Sequence, residues 1–143
     1  MEVRKTRSIT SDTTATSAVE FAIIAPVFLA VMLGIIAYGI YFGAAHSVAQ
    51  LAADAARASV AGLSDAERLR LVQGHVQASA GSYVLIDGEK VSVEAAPLPS
   101  DTRQFRVVVS YSATDLPIWQ MRPFLPLPSE TIVRAAVVSR GGY

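Results

Sequence analysis

The sequence predicts an α+β fold, in which a long amino-terminal transmembrane helix continues into a small exported domain with a second helix and a roughly four-stranded antiparallel sheet. Three observations predict it. From Phe21 to Ala45 the chain has 25 residues whose only ionisable groups are the phenols of Tyr38 and Tyr41. An alanine-rich segment with helical spacing follows. After residue 82 the apolar residues recur with a period of two, which is typical of strands.

The apolar segment is long enough to cross a bilayer. As a helix its 25 residues would rise about 37 Å, which exceeds the roughly 30 Å of a hydrocarbon core. A secretory signal peptide has an apolar core of only about 7 to 15 residues, so cleavage after Ala45 is the less favoured alternative. Gly39 and Gly43 form a GxxxG pair, a spacing that lets membrane helices approach closely, and are candidate helix-packing residues.

The flanking charges predict the orientation of this span. Arg4, Lys5 and Arg7 precede it, whereas the first basic residue after it is Arg57. Basic residues favour the cytoplasmic side, so the amino terminus should stay in the cytoplasm and the carboxyl-terminal domain should be exported. We divide the chain into a cytoplasmic leader at residues 1–15, a transmembrane helix at 16–45 and an exported domain at 46–143.

Composition excludes several classes of function. The 12 basic and 12 acidic side chains balance, so no clustered basic surface for nucleic acid is expected. The chain has no cysteine and therefore no disulfide, thiolate metal site or cysteine nucleophile. His46 and His75 lack carboxylates at ligand spacing, and no phosphate-binding loop or catalytic triad is recognisable. We expect no enzymatic activity, no cofactor, no metal and no small-molecule substrate.

Two helices are expected before the sheet. Apolar and small residues continue at helical spacing from His46 to Gly62, which extends the membrane helix to roughly 45 residues with Gly62 as its C-cap. In this segment Asp54 precedes Arg57 by three residues and can pair with it. Ser64 to Glu67 then has the pattern of a capping box that opens a second helix. Ala80-Gly81-Ser82 should end that helix.

Four segments have the alternation of strands: Tyr83–Ile86, Lys90–Ala95, Gln104–Ala113 and Thr131–Val138. The first two flank Asp87-Gly88, a dipeptide that favours a tight turn, so they are predicted to form a hairpin. Pro97 and Pro99 are expected to break the strand pattern. The sheet needs a cover on its apolar face, and the emerging helix is the obvious candidate.

The connection from Asp115 to Ser129 holds four of the seven prolines and the only tryptophan. The favoured interpretation is a long hairpin connection, with a helical turn at Ile118–Met121 and with Trp119 and Phe124 packed on the domain. A polyproline ligand is a second reading of the proline spacing. A third is that both aromatic side chains rest at the membrane interface.

Glu20 is the one carboxylate at the edge of the span. A charged group at this position carries a desolvation cost, which an oppositely charged partner would offset. If the leader were removed after Ala15, the new amino group of Thr16 would lie one helical turn before Glu20, in the same chain or in a neighbouring subunit. Alternatively, Glu20 is simply favoured in a first helical turn and solvated by lipid headgroups.

A wider pattern resembles a known family. A basic leader, a small residue, four residues, Glu20, Phe21 and an apolar span resemble a type IV prepilin signal. The segment Ser17–Pro26, with its Val-Glu-Phe-Ala motif and following proline, is similar to the start of the TadE-like family, pseudopilins of the tight-adherence (Tad/Flp) pilus machinery. The family's alanine-rich segment with an arginine has its counterpart in Ala52–Arg57.

This resemblance implies a function. Ala15 and Thr16 would flank the bond cut by a prepilin peptidase, which usually cuts after glycine, and Glu20 with Phe21 would order the subunits. The expected partners are membrane lipid, the peptidase, other pilins or pseudopilins and pilus-assembly proteins. The expected location is the bacterial inner membrane with a periplasmic domain, or a surface pilus, in a role in adhesion or secretion. The alternative is an unprocessed single-pass anchor whose exported domain binds a protein or matrix partner.

Overall fold

The structure, a computed structural model, describes the backbone from Thr13 to Ser139 and the side chains from Thr16 to Ser139. Most of the leader predicted at residues 1–15 therefore lies outside the described residues. The described chain is α+β, with two α-helices, three short 3₁₀ turns and one antiparallel sheet. The predicted fold class is confirmed, with three strands in place of four.

Helix α1 runs without interruption from Thr13 to Ser59, a length of 47 residues. Pro26 lies inside it and does not end it. The last turn is closed by the Ser59 hydroxyl, which donates to the Ala56 carbonyl at 2.6 Å. Gly62 was expected to cap the helix in a left-handed conformation, but no glycine in the described part of the chain has a positive φ. Gly62 instead makes room, since a Cβ there would lie 2.7 Å from Cγ of Arg68.

Helix α2 spans Asp65–Ser79 and begins at the predicted capping box. The Ser64 hydroxyl accepts a hydrogen bond from the Glu67 amide at 3.2 Å. The Glu67 carboxylate accepts from the amide of Leu63 at 2.9 Å, one residue earlier than in the usual reciprocal pair. Val72 and Val76 are buried on the inner face. A 3₁₀ turn at Ala80–Ser82 ends the helix as predicted.

The sheet consists of β1 (Val91–Leu98), β2 (Asp101–Ser112) and β3 (Thr131–Ser139) in the order β1-β2-β3, all antiparallel. In β2, Phe105, Val107 and Val109 are fully buried. This is the face that the alternation predicted for the strongest strand. β1 continues through Pro97 with an irregularity before Leu98. An edge strand tolerates a proline that a central strand would exclude.

The first of the four predicted strands, Tyr83–Ile86, is not present. This segment crosses α1 instead, with the Tyr83 hydroxyl donating to Asp54 and the Val84 carbonyl accepting from the Ser47 hydroxyl at 2.6 Å. The predicted Asp87-Gly88 hairpin is also wrong. The Asp87 carboxylate accepts from the Glu89 amide at 3.0 Å and starts a 3₁₀ turn at Gly88–Lys90. Contacts with a distant helix therefore outweighed the local strand pattern.

The core lies between the sheet and one face of α1, with α2 beside them. The α1 residues buried in this core are Ala37, Ala44, Ala45, Ser47, Val48, Leu51, Ala52, Ala55, Ala56 and Ser59. Small side chains predominate in this set, which lets the helix backbone approach the sheet. No residue of α1 from Thr16 to Ile36 is buried.

Candidate membrane and assembly surface

In the lower part of α1, residues 16–36, no residue is buried, and only Ala25 and Gly34 are partly covered. Twelve large hydrophobic side chains between Val19 and Ile36 are 41% to 72% exposed. The helix is long and apolar enough to cross a membrane. At about 1.5 Å per residue, residues 16–36 rise roughly 31 Å, close to the thickness of a hydrocarbon core. Such an apolar surface needs lipid or other apolar helices around it.

The domain begins to cover α1 at Ala37. Ala44 and Ala45, the last residues of the predicted span, are buried against the rest of the chain. Residues 37–45 are thus as apolar as the segment before them, but the domain shields one of their faces. The part of α1 without any buried residue ends at Ile36, one residue before the first buried alanine.

Glu20 is exposed in the first third of this apolar surface. Among the described side chains from Thr16 to Ser139, none forms a hydrogen bond or an ion pair with its carboxylate. The bond between Ala15 and Thr16 lies in the first turn of α1, four residues before Glu20. Phe21 is 72% exposed beside it. The predicted processing and assembly residues thus lie near the amino-terminal end of α1, and their roles stay a prediction.

The two glycines of the predicted packing pair have different surroundings. A Cβ on Gly39 would meet no atom within 4 Å, whereas a Cβ on Gly43 would lie 2.7 Å from Cδ1 of Leu85. The space beside Gly43 is thus filled by Leu85 of the same chain, whereas the space beside Gly39 is open. A role for the pair in packing against another helix stays a prediction.

Asp54 joins α1 to the segment after α2. Its carboxylate accepts hydrogen bonds from Arg57, as the spacing predicted, and from Tyr83. The hydrogen bond from Tyr83 is the main cause that lowers the pKa of Asp54 below its usual value. Burial, together with the neighbouring Asp54 carboxylate, raises the pKa of Tyr83 to about 12. The partnership with Tyr83 was missed from the sequence, because it joins residues 29 apart.

The proline-rich connection folds back along α1. Its 3₁₀ turn at Pro117–Met121 confirms the predicted helical turn. Trp119 is half-buried and donates its ring N–H to the Ala113 carbonyl at 2.6 Å, as expected for packing on the domain. Phe124 does not pack there, since it is 79% exposed. Instead, the next residues reach α1, where the Tyr38 hydroxyl donates to the Pro126 carbonyl at 2.6 Å.

The histidines do not form a metal site with their described surroundings. His46 shares a hydrogen bond of 2.9 Å with Gln50. The Nε2 atom of His75 is buried, and no hydrogen-bond partner for it is present among the described residues. Within residues 13–139 no group of three or more histidine, aspartate or glutamate side chains has the arrangement of a metal site.

One known protein family matches the amino-terminal part of this chain. Residues 15–57 match the family of TadE-like proteins. The resemblance predicted from the sequence is confirmed over this segment, and the family suggests an association with the Tad pilus. No curated protein sequence and no solved structure gives a significant match.

The TadE-like segment lies entirely within α1. It contains the exposed apolar surface, Glu20, the buried alanines and the Asp54–Arg57 pair, and it stops before α2 and the sheet. The family match therefore describes the helix that carries the candidate assembly surface and the face of that helix on which the domain is built.

Proposed function

We propose that this chain is a minor pilin or pseudopilin of a Tad/Flp-type pilus, with no enzymatic role. In this proposal the lower part of α1 anchors it in the bacterial inner membrane, with the amino terminus in the cytoplasm and the domain in the periplasm. The chain then enters the pilus-assembly complex through the same helix surface and so serves adhesion or secretion. The observation that carries the proposal is the exposed apolar part of α1 with the exposed carboxylate of Glu20 near its start, inside the TadE-like segment.

The exposed helix supports a role in assembly as well as in anchoring. A plain anchor needs only an apolar surface, and a carboxylate at its edge adds a desolvation cost. That cost is offset if a cation of a partner chain approaches when the helix packs among other helices. Glu20 is exposed and available for such a partner.

Processing would supply that cation. Cleavage between Ala15 and Thr16 creates an amino group, which carries a positive charge at neutral pH because its usual pKa is about 8. This charge would lie at the positive end of the helix dipole, where a carboxylate offsets it. Glu20 is one helical turn away in the same chain, and an equivalent carboxylate would be present in a neighbouring subunit.

The experiment that tests the proposal measures the mass of the chain extracted from membranes of cells that have a Tad system. We expect a species that lacks residues 1–15 and begins at Thr16. Ala15→Leu should abolish this species, because a bulky side chain would occupy the place of the small residue before the cut. Ala22→Leu makes the same change on the exposed helix beyond the cut, and should be processed normally.

The alternative function predicts a different mass. An unprocessed single-pass anchor would retain its leader in the wild type and in both variants. A mature protein that begins at Met1 or Glu2 would therefore contradict the processing step. It would favour a membrane-tethered domain that binds a protein or matrix partner.

A further inference from the structure

We infer that residues 123–127, here called the interfacial tip, dip into the outer surface of the lipid bilayer and fix the height of the domain above it. The inference rests on the membrane anchoring in the proposed function, and it adds a second contact with lipid besides α1. The tip has the sequence Pro-Phe-Leu-Pro-Leu, and no charged residue lies between Arg122 and Glu130.

The tip is located where the exposed part of α1 ends. Cδ2 of Leu125 lies 3.9 Å from the position that a Cβ on Gly34 would occupy. One turn further along the helix, the hydroxyl of Tyr38 holds the carbonyl of Pro126 at 2.6 Å. The tip is therefore fixed at the level of residues 34–38, while the uncovered part of α1 stops at Ile36. If α1 spans the bilayer from Thr16, this level is the outer edge of the hydrocarbon core.

The apolar surface of the helix continues onto the tip. Leu125 lines an open groove together with Pro26, Val27, Ala30, Val31 and Gly34 of α1. Phe124 projects beside it and is 79% exposed. The described residues cover little of the Phe124 ring, whereas lipid that surrounds α1 would also surround it.

Several backbone polar groups of the tip are paired within the protein or absent. Insertion into lipid is costly when amide and carbonyl groups lose their hydrogen bonds. Pro123 and Pro126 have no N–H to satisfy. The amides of Phe124 and Leu125 both donate to the Met121 carbonyl, at 2.9 and 3.0 Å. The Pro126 carbonyl accepts from Tyr38, so the amides of Phe124 and Leu125 and this carbonyl all have protein partners.

The residues around the tip match the chemistry of a membrane surface. Tyr and Trp side chains are favoured at the level of the headgroups. Tyr38 contacts the tip through the Pro126 carbonyl. Arg122, the residue before the tip, has its guanidinium 5.2 Å from the Trp119 ring centroid. Arg122 is exposed, and its guanidinium pairs with the Glu130 carboxylate on the other side of the tip in the sequence. We therefore assign a lipid bilayer, and not another protein, as the partner of this surface.

The absence of cysteine in the chain permits a direct test. Single-cysteine variants Phe124→Cys, Phe28→Cys and Leu63→Cys place a nitroxide label at exposed positions on the tip, on lower α1 and at the far end of the domain. The full chain is reconstituted in vesicles of phosphatidylcholine and phosphatidylglycerol. Collision of the label with oxygen, which enters lipid, is compared with collision with a water-soluble nickel chelate.

We expect the label at position 124 to collide several-fold more with oxygen than with nickel, at a depth near the headgroups. The label at 28 should lie deep in the bilayer, and the label at 63 should behave as in water.

A label at 124 that behaves as in water, while the label at 28 is deep, overturns the inference and leaves the anchor intact. A label at 124 shielded from both agents, with broadening between labels, would place a second copy on the tip and also overturn it. A label at 28 in water would contradict the anchoring on which the proposed function depends.

Discussion

Asp54 shows how one side chain connects distant parts of this fold. It is half-buried on α1 and accepts hydrogen bonds from Arg57 one turn later and from Tyr83 beyond α2. The sequence predicted the first partner, because spacing on a helix fixes which side chains are neighbours. The second partner could not be predicted, since no local pattern distinguishes a tyrosine in a strand from one that reaches back to a helix. Tyr83–Ile86 was therefore predicted as a strand and was found as a crossing segment.

Tyr83→Phe should lower the free energy of unfolding by about 1 to 2 kcal/mol at neutral pH, because it removes a hydrogen bond to a charged group. The pKa of Asp54 is lowered in the fold, so its contribution is present above its ordinary pKa of 3.8 and is lost as the pH falls through the lower folded value. The pKa of Tyr83 is raised to about 12, so its contribution is present below its ordinary value of 10.0 and is lost as the pH rises through about 12.

Denaturant unfolding of the full chain in detergent, measured across this pH range, checks the prediction. The difference between wild type and Tyr83→Phe should be constant from mildly acidic to mildly alkaline pH and should shrink at both extremes. Tyr41→Phe is the matched control, because no described residue forms a hydrogen bond with the Tyr41 hydroxyl. An equal loss in both variants would show that the Asp54 contact contributes nothing specific.

Helix α1 is a single element with two environments. The sequence predicted its length well, roughly 45 residues against the 47 observed, because alanine-rich and apolar residues favour a helix throughout. It did not predict where the domain begins to cover the helix. Hydropathy is the same for a residue that faces lipid and for one that faces a protein core, so Ala37 could not be distinguished from the exposed residues before it. Which residues cross the membrane stays a prediction.

Gly39 and Gly43 test this division of α1. Gly43→Val should destabilise the domain by about 1 kcal/mol, the lower end of the usual range for overpacking, because the added methyl groups meet the end of the flexible, half-exposed Leu85 side chain. Gly39→Val should change the free energy of unfolding by less than about 0.5 kcal/mol, the usual range for a surface substitution. Thermal or denaturant unfolding of the two variants in the same detergent provides the comparison. Equal effects would mean that the domain does not cover one face of the helix at Gly43.

The whole molecule follows the predicted plan of a long helix that carries a small α+β domain. β2 and β3 lie within three residues of their predicted limits, because their period-two alternation is strong and their faces are clearly apolar or polar. The sheet has three strands because Tyr83–Ile86 is drawn to α1. The return of the proline-rich connection to Tyr38 had no signal in the sequence beyond Gly34, whose missing side chain leaves room for Leu125.

The candidate site was visible in the sequence for a different reason. Glu20 is a single charge in an apolar segment, and such an exception to a pattern can be recognised without knowing any contact. The TadE-like match covers the same segment and ends within α1. At the scale of the molecule, the uncovered helix is therefore the feature that connects fold and function. The central claim is that other pilin helices pack against it.

Site-specific photo-cross-linking tests this claim most directly. A photoreactive residue at position 27, on the exposed helix, is compared with one at position 133, on the outer face of the sheet, in cells with an active Tad system. We predict adducts from position 27 with the amino-terminal helix of another pilin subunit, and their loss by roughly tenfold with Glu20→Gln, equivalent to about 1.4 kcal/mol of assembly energy. Glu94→Gln, which removes an exposed carboxylate on β1, should leave them unchanged. Adducts with lipid alone at position 27, unaffected by Glu20→Gln, would contradict the account.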